Sequence, residues 1–136
     1  MDTIAAIATA MGQGGIAVLR VSGTESLQVL QKVFRKRVRK TSGLVENSES
    51  ECVAVQDWQP RHAYFGVINA EDGTILDEVV ATYFRGPQSF TGEDVVEIAC
   101  HGGVLITRRI LELLLRNGAR SAEAVSYTHL RAHETR

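Results

Sequence analysis

The sequence FTGEDVVEIACHGG, at residues 90–103, contains a short, mainly apolar run that ends in a thiol, with acidic residues before it and an imidazole and two glycines after it. The run from Val95 to Cys100 has the length of a buried β-strand. Polar groups at both ends of this strand indicate that a loop leads into it and that polar side chains cluster where it ends. Sites are often built on such loops, because the scaffold holds them in place.

Length and composition describe one domain of ordinary globular character. The chain has 136 residues, of which 44% are hydrophobic and 23% charged, and this length is sufficient to bury a core. The net charge of -1 provides no general attraction to nucleic acid or to anionic membranes. The N-terminus lacks the basic start of a secretory signal, and no apolar run approaches the roughly 20 residues that cross a bilayer. We therefore expect a cytoplasmic protein, in which Cys52 and Cys100 are reduced thiols rather than a disulfide.

The remaining patterns predict an α+β domain. Strand-like segments lie at residues 3–9, 16–21, 62–68, 78–84 and 95–100, with glycine turns between several of them. One helix is expected to begin after Ser22-Gly23-Thr24 and to run to about Phe34, and a second to span Val104 to Asn117 before Gly118. Residues 35–60 are predicted to be a loop, part of it mobile or variable. Since strands and helices do not alternate, we expect a mixed, largely antiparallel sheet with two main helices.

Arg20 and Glu97 are charged residues inside apolar strands. Successive side chains of a strand point to opposite faces, which places Val95 and Glu97 on one face and Val96 and Ile98 on the other. A guanidinium at position 20 lies either on a solvated face of the sheet or against a carboxylate or an anionic ligand, and the sequence favours neither. A buried Glu97 needs a donor, for which Arg20 is a candidate. The same carboxylate could accept paired N–H bonds from a heterocyclic ligand.

Four polar residues near these strands have plainer interpretations. Glu93 and Asp94 are expected to serve the loop through capping or turn hydrogen bonds. Cys100 and His101 do not make a convincing metal site or nucleophile and base, because adjacent strand side chains point to opposite faces and further ligands are missing. His101 is expected to line a pocket or to satisfy backbone groups before the second helix.

Two further motifs have both a functional and a structural interpretation. Residues 12–15, Gly-Gln-Gly-Gly, lack the Gly-Lys-Ser/Thr ending of a phosphate loop and lead into a strand, so a tight turn is favoured. The basic run at residues 35–40 could contact RNA phosphates. A solvated helix end is favoured instead, because the net charge is close to zero.

Taken together, residues 2–9, 12–15, 19–23, 86–97 and 100–103 resemble the N-terminal domain of the MnmE (TrmE) family of tRNA-modification GTPases. The same order and spacing run from Asp2 to Arg120. The resemblance implies a fold similar to the folate-binding domains of glycine-cleavage T-proteins. It also implies binding of a tetrahydrofolate derivative, 5-formyl- or methylene-tetrahydrofolate, and formation of a homodimer. The family's folate-contacting residues fall on Arg20 and Glu97, and the resemblance assigns no catalytic residue or metal ligand to this segment.

The resemblance also sets expectations for the larger protein. Family members work with the flavoprotein MnmG to modify the wobble uridine of certain tRNAs, and they bind GTP, Mg²⁺ and K⁺ in a separate GTPase domain. That domain is not among these residues, so this chain alone is expected neither to hydrolyse GTP nor to modify tRNA. Residues 125–136 resemble a translated sequencing-library adapter. We therefore predict a folate-binding domain at residues 1–124 and a non-native tail at residues 125–136.

The sequence leaves two alternative functions open. The first is a stand-alone binding or scaffold domain without folate affinity, because a further folate-contacting lysine of the family belongs to a helical domain that follows. The second is a small hydrolase that uses Cys100 and His101.

Overall fold

A computed structural model describes residues 3–9, 15–38, 49–51, 57–87, 92–101 and 103–121. The elements, in chain order, are β1 (Ile4–Ile7), β2 (Ile16–Ser22), α1 (Ser26–Val33), β3 (Phe34–Val38), β4 (Glu49–Glu51), β5 (Ala63–Asn69), β6 (Ile75–Phe84), β7 (Val95–His101), α2 (Val104–Arg116) and β8 (Arg120–Ser121). The strands form one sheet in the order β4-β3-β5-β6-β7-β2-β1-β8. β1 and β8 are parallel, and the other pairs are antiparallel. The prediction of an α+β domain with a mixed, largely antiparallel sheet is confirmed.

The two helices cover one face of the sheet because each has a single apolar stripe. Buried residues recur three and four positions apart in both helices, as expected for helices that pack on a sheet. They contact the strand residues that alternate toward them. The resulting core includes Leu30 of α1, Ile110 and Leu113 of α2, Leu19 of β2 and Ile98 of β7. The intervening strand residues, Arg20 and Glu97 among them, project from the other side of the sheet, which we call the open face.

Two glycines occupy the turn positions that the sequence predicts. Gly73 has a φ of +89° in the turn between β5 and β6, where the Thr74 N–H donates to Asp72 Oδ1 at 2.9 Å. Gly118 has a φ of +122° directly after α2. The chain then turns back, and the Arg120 N–H donates to the carbonyl of Thr3 at 2.8 Å. This bond places β8 beside β1 at the edge of the sheet.

The prediction of a loop over residues 35–60 is wrong at its start. The chain passes from α1 directly into β3, and β4 pairs with β3. Three basic residues in succession gave this segment the composition of a surface loop or helix end. In the fold, however, the Lys36 ammonium lies 5.5 Å from the centre of the Tyr64 ring and Arg37 pairs with Glu78 at 3.3 Å. Long basic side chains can lie along a sheet with their charges near solvent, and cross-strand pairing outweighs local preference.

Several expectations concern parts of the chain outside the described residues. These are the glycines at residues 12–14, Cys52, the interval at 39–48 and the tail at 125–136, so the division at residue 124 stays a prediction. Neither helix in the described ranges is long and apolar enough to cross a membrane.

Candidate functional site

Arg20 and Glu97 form an ion pair on the open face. The two residues lie opposite each other on β2 and β7. Nε and Nη2 of Arg20 donate to the same Glu97 oxygen, Oε2, at 3.1 and 2.7 Å. The side chains are 35% and 23% exposed, so the pair is held by the sheet and is accessible from solvent. The predicted proximity of these two residues is confirmed.

Glu97 retains one carboxylate oxygen for a further donor. Both Arg20 nitrogens bind Oε2, and none of the described residues donates to Oε1. An ionised carboxylate has lone pairs on both oxygens and accepts several hydrogen bonds. Arg20 therefore fixes the orientation of the carboxylate while Oε1 can accept an N–H group from a ligand.

Small side chains flank the ion pair on the neighbouring strands. Ala6 lies opposite Arg20 on β1, and Thr82 lies opposite Glu97 on β6. Ala63 is the next residue in this row, opposite Thr82 on β5. The side chains beside the ion pair in this row are therefore short. Sequence reasoning missed Thr82, because only the register of β6 against β7 brings it to the site.

The acidic residues before β7 are Glu93 and Asp94. They hold the loop in place, and they add carboxylate groups at this end of the sheet. Asp94 Oδ1 accepts the Gly86 N–H at 2.9 Å, and the Asp94 carbonyl accepts the Gly23 N–H at 2.8 Å. The loop role predicted for Asp94 is confirmed. Glu93 Oε2 accepts the Ser22 hydroxyl at 3.1 Å and so connects the loop to β2.

Cys100 and His101 lie on different sides of the sheet. Cys100 is 3% exposed, and its Sγ is 4.0 Å from Thr107 Oγ1. Burial raises the pKa of the Cys100 thiol, because a thiolate loses its hydration there. The His101 side chain is 71% exposed and pairs with Asp77. The two side chains cannot act together as nucleophile and base, and this geometry contradicts the hydrolase alternative.

Asp77 binds His101 through both carboxylate oxygens. Oδ1 is 2.7 Å from the imidazole Nδ1, and Oδ2 accepts the His101 backbone N–H at 2.8 Å. The carboxylate thereby fixes the imidazole at the end of β7. Sequence reasoning did not identify Asp77, because no local pattern connects it with a histidine 24 residues further along the chain.

These observations define an α+β domain with a partly solvent-exposed ion pair on the open face of an eight-stranded sheet. The chain belongs to the family described as "GTP-binding protein TrmE N-terminus", whose model matches residues 3–135. The family resemblance inferred from the motifs is confirmed.

The chain is similar to curated proteins named "tRNA modification GTPase MnmE". It is 46% identical over 126 residues to the protein of Desulforamulus reducens, with 90% of this chain and 24% of that protein covered. It is 44% identical over 128 residues to the protein of Thermotoga petrophila, with 94% and 24% covered. Identity to the protein of Alkaliphilus metalliredigens is 43% over 128 residues, with 93% and 25% covered. The chain thus spans about a quarter of the length of these relatives.

Proposed function

We propose that this chain is the tetrahydrofolate-binding and dimerisation module of a tRNA-modifying GTPase. The proposal is supported above all by the Glu97 carboxylate, which Arg20 orients through one oxygen while the other remains available. Membership of the TrmE N-terminal family and the names of the curated relatives support the wider assignment to tRNA modification.

The residues of the site fit a tetrahydrofolate derivative such as 5-formyl- or methylene-tetrahydrofolate. The reduced pterin ring has an edge of N–H donors, and Glu97 Oε1 has no donor among the described residues. Arg20 presents guanidinium N–H groups that favour carbonyl or anionic groups of the same ligand. When bound, the folate supplies a one-carbon unit. The role of this chain is to bind and orient it.

The remaining parts of the activity belong to the larger protein. We propose that GTP, with Mg²⁺ and K⁺, binds a GTPase domain outside these residues and that the partners are the flavoprotein MnmG and tRNA. The reaction is modification of the wobble uridine, in the cytoplasm. The names of the relatives, of which this chain spans a quarter, support a GTPase and tRNA modification. The other assignments rest on the family resemblance of the sequence.

The open face also supports the proposed homodimer. Four apolar side chains, one on each of four adjacent strands, form a row next to the ion pair, which we call the apolar row: Val18, Ala99, Val80 and Phe65. Phe65 is 52% exposed and Val80 is 37% exposed. The row has no charged member, so it is suited to pack against an identical apolar row, as in a two-fold symmetric dimer.

The folate assignment is tested by calorimetric titration of the purified chain with 5-formyltetrahydrofolate. We expect binding to the unaltered chain and at least tenfold weaker binding to Glu97→Gln, which keeps the size of the side chain and removes its charge. Glu112→Gln, an exposed position on α2, is the matched control and should bind normally. Absence of binding by the unaltered chain would favour the scaffold alternative. Equal affinity of Glu97→Gln would refute the role of Glu97.

A further inference from the structure

β8 is a two-residue strand at the edge of the sheet, and β1 is its one partner among the described strands. Ile4 lies opposite Arg120, and Ala5 lies opposite Ser121. The Arg120 N–H donates to the carbonyl of Thr3 at 2.8 Å. Short edge segments belong to the least stable parts of a fold, so β8 can detach from β1 while the core remains folded. It is therefore an element with two states, paired and detached.

Thr3 connects β8 to the segment between β2 and α1. The residue is 5% exposed, and its hydroxyl oxygen accepts the Glu25 N–H at 3.1 Å, at the start of α1. Its backbone also packs against Gly23, where an added Cβ would lie 2.6 Å from Thr3 Cα. Only glycine permits this approach, and Gly23 has a φ of +141°. The position of Thr3 is therefore coupled to that of Gly23.

Gly23 and Ser22 in turn hold the acidic loop before β7. The Gly23 N–H donates to the Asp94 carbonyl at 2.8 Å, and the Ser22 hydroxyl donates to Glu93 Oε2 at 3.1 Å. The same end of β2 presents Arg20, two residues before Ser22. Contiguous contacts thus run from β8 to the ion pair on the open face.

We infer that β8 is a latch that couples the rest of the full-length protein to the Glu97 site, an inference that rests on the proposed function. With β8 paired, Thr3 supports Gly23, and the acidic loop keeps β2 and β7 in the arrangement in which Arg20 orients Glu97. With β8 detached, Thr3 loses a hydrogen bond and the loop loses this support, so the ligand binds less tightly.

The place of β8 in the larger protein gives the latch its input. The chain matches a family described as an N-terminus and spans about a quarter of the length of its relatives. β8 is the last element that the structure describes. We therefore expect movements in the remaining protein to act on β8 before they reach the sheet.

The coupling works in both directions, because a ligand that binds one state better raises the population of that state. Occupancy of the Glu97 site should therefore stabilise the paired state of β8. The Arg120 amide hydrogen reports this state directly, since it is bonded to Thr3 when β8 is paired and meets solvent when β8 is detached.

The first test measures hydrogen exchange of the Arg120 amide by heteronuclear NMR, with and without saturating 5-formyltetrahydrofolate. We expect exchange to slow at least about fivefold on binding. The Ala70 N–H, which donates to Thr74 in the turn between β5 and β6, is the control and should exchange equally fast in both samples. Ligand binding without slower exchange at Arg120, or with equal slowing at Ala70, overturns the inference and leaves the proposed function intact. Absence of ligand binding refutes the proposed function, and the inference fails with it.

Two substitutions at position 120 isolate the backbone hydrogen bond. Arg120→Pro removes the N–H donor, whereas Arg120→Ala keeps the donor and removes only the side chain. We expect calorimetric titration to show about fivefold weaker binding of 5-formyltetrahydrofolate to Arg120→Pro and unchanged binding to Arg120→Ala. Equal affinity of the two variants overturns the inference.

Gly23→Ala tests the connection through Thr3. The added Cβ would displace Thr3, so the slowing of exchange at Arg120 on ligand binding should fall below about twofold. Gly73→Ala is the matched control, because Gly73 also has a positive φ, +89°, but a Cβ there meets no atom within 4 Å. Slowing that persists in Gly23→Ala, or is lost equally in Gly73→Ala, overturns the inference. The comparison at position 120 decides the question if Gly23→Ala does not fold.

Discussion

Arg20 donates from two nitrogens to one oxygen of Glu97, across adjacent strands of the sheet. The second oxygen of Glu97 has no donor among the described residues. This geometry supports the ligand-binding role proposed for the pair. Partly exposed ion pairs contribute little to the free energy of unfolding, whereas an oriented carboxylate contributes directly to ligand affinity.

Arg20→Lys should separate these two effects. Lysine preserves the positive charge but cannot donate from two nitrogens in the geometry of a guanidinium. We expect 5-formyltetrahydrofolate to bind about tenfold more weakly, while the free energy of unfolding in urea changes by less than about 1 kcal/mol. Arg37→Lys alters the other partly exposed arginine pair, with Glu78, and should leave the affinity unchanged. Equal losses of affinity in both variants would show that the effect is not specific to the site.

Leu113→Ala should strongly destabilise the domain. Leu113 is fully buried in the core, and its truncation leaves a cavity that costs about 2–5 kcal/mol. Leu105→Ala removes the same atoms from the same helix at a position that is 63% exposed. Its effect on the free energy of unfolding in urea should be within about 0.5 kcal/mol. Similar effects of the two substitutions would contradict the packing of α2 on the sheet.

Gly66→Ala tests the pairing of β3 with β5, which the sequence did not predict. A Cβ at this position would overlap the carbonyl oxygen of Arg35 and the ring of Phe34. We expect a loss of about 1–3 kcal/mol in the free energy of unfolding, because a close-packed contact has to open. Gly15→Ala is the control, since a Cβ there meets no atom within 4 Å. A Gly66→Ala protein as stable as Gly15→Ala would exclude the close approach of β3.

Cys100 should be unreactive in the folded protein and should make stability depend on pH. Burial raises the pKa of its thiol, so the folded state retains a proton that the unfolded state loses. Stability from this group is therefore complete below the ordinary thiol pKa of about 8.5 and decreases as the pH rises above it.

Alkylation in a Cys52→Ser background measures the reactivity of Cys100 alone. Iodoacetamide should modify the native protein at least about tenfold more slowly than the urea-unfolded protein, because the thiolate is the reactive form. The Cys100→Ser, Cys52→Ser protein controls for labelling elsewhere, and its stability should decrease less above the ordinary thiol pKa. Equally fast labelling of native and unfolded protein would contradict the burial of Cys100.

Phe65→Asp should dissociate the proposed homodimer. The substitution places a charge in the apolar row, where a dimer would bury it without a partner. Sedimentation velocity should show a monomer for this variant at concentrations where the unaltered chain is dimeric. Ile75→Asp has the same original exposure, 52%, but lies outside the apolar row and should remain dimeric. A dimer that persists in Phe65→Asp would exclude the apolar row as its interface.

Much of the fold was predictable because its strongest elements carry their signal locally. The apolar period of α2 and the glycine after it located that helix to within one residue of its observed end. β2 and β7 were predicted to within one residue at each end, because their short apolar runs are also local signals. β3 was missed, since three consecutive basic residues dominate its composition and its strand conformation depends on pairing with β5 and β4.

The sequence by itself determined that Glu97 shares a strand face with Val95 and not with Val96 and Ile98, because side chains of a strand alternate with a fixed period. It also determined that Cys100 and His101 point apart. Only the tertiary structure decided that Arg20 meets Glu97, 77 residues away, that Asp77 holds His101, and that the Thr3 carbonyl accepts the Arg120 N–H. These contacts depend on the register and order of the strands, which result from packing of the whole sheet against both helices.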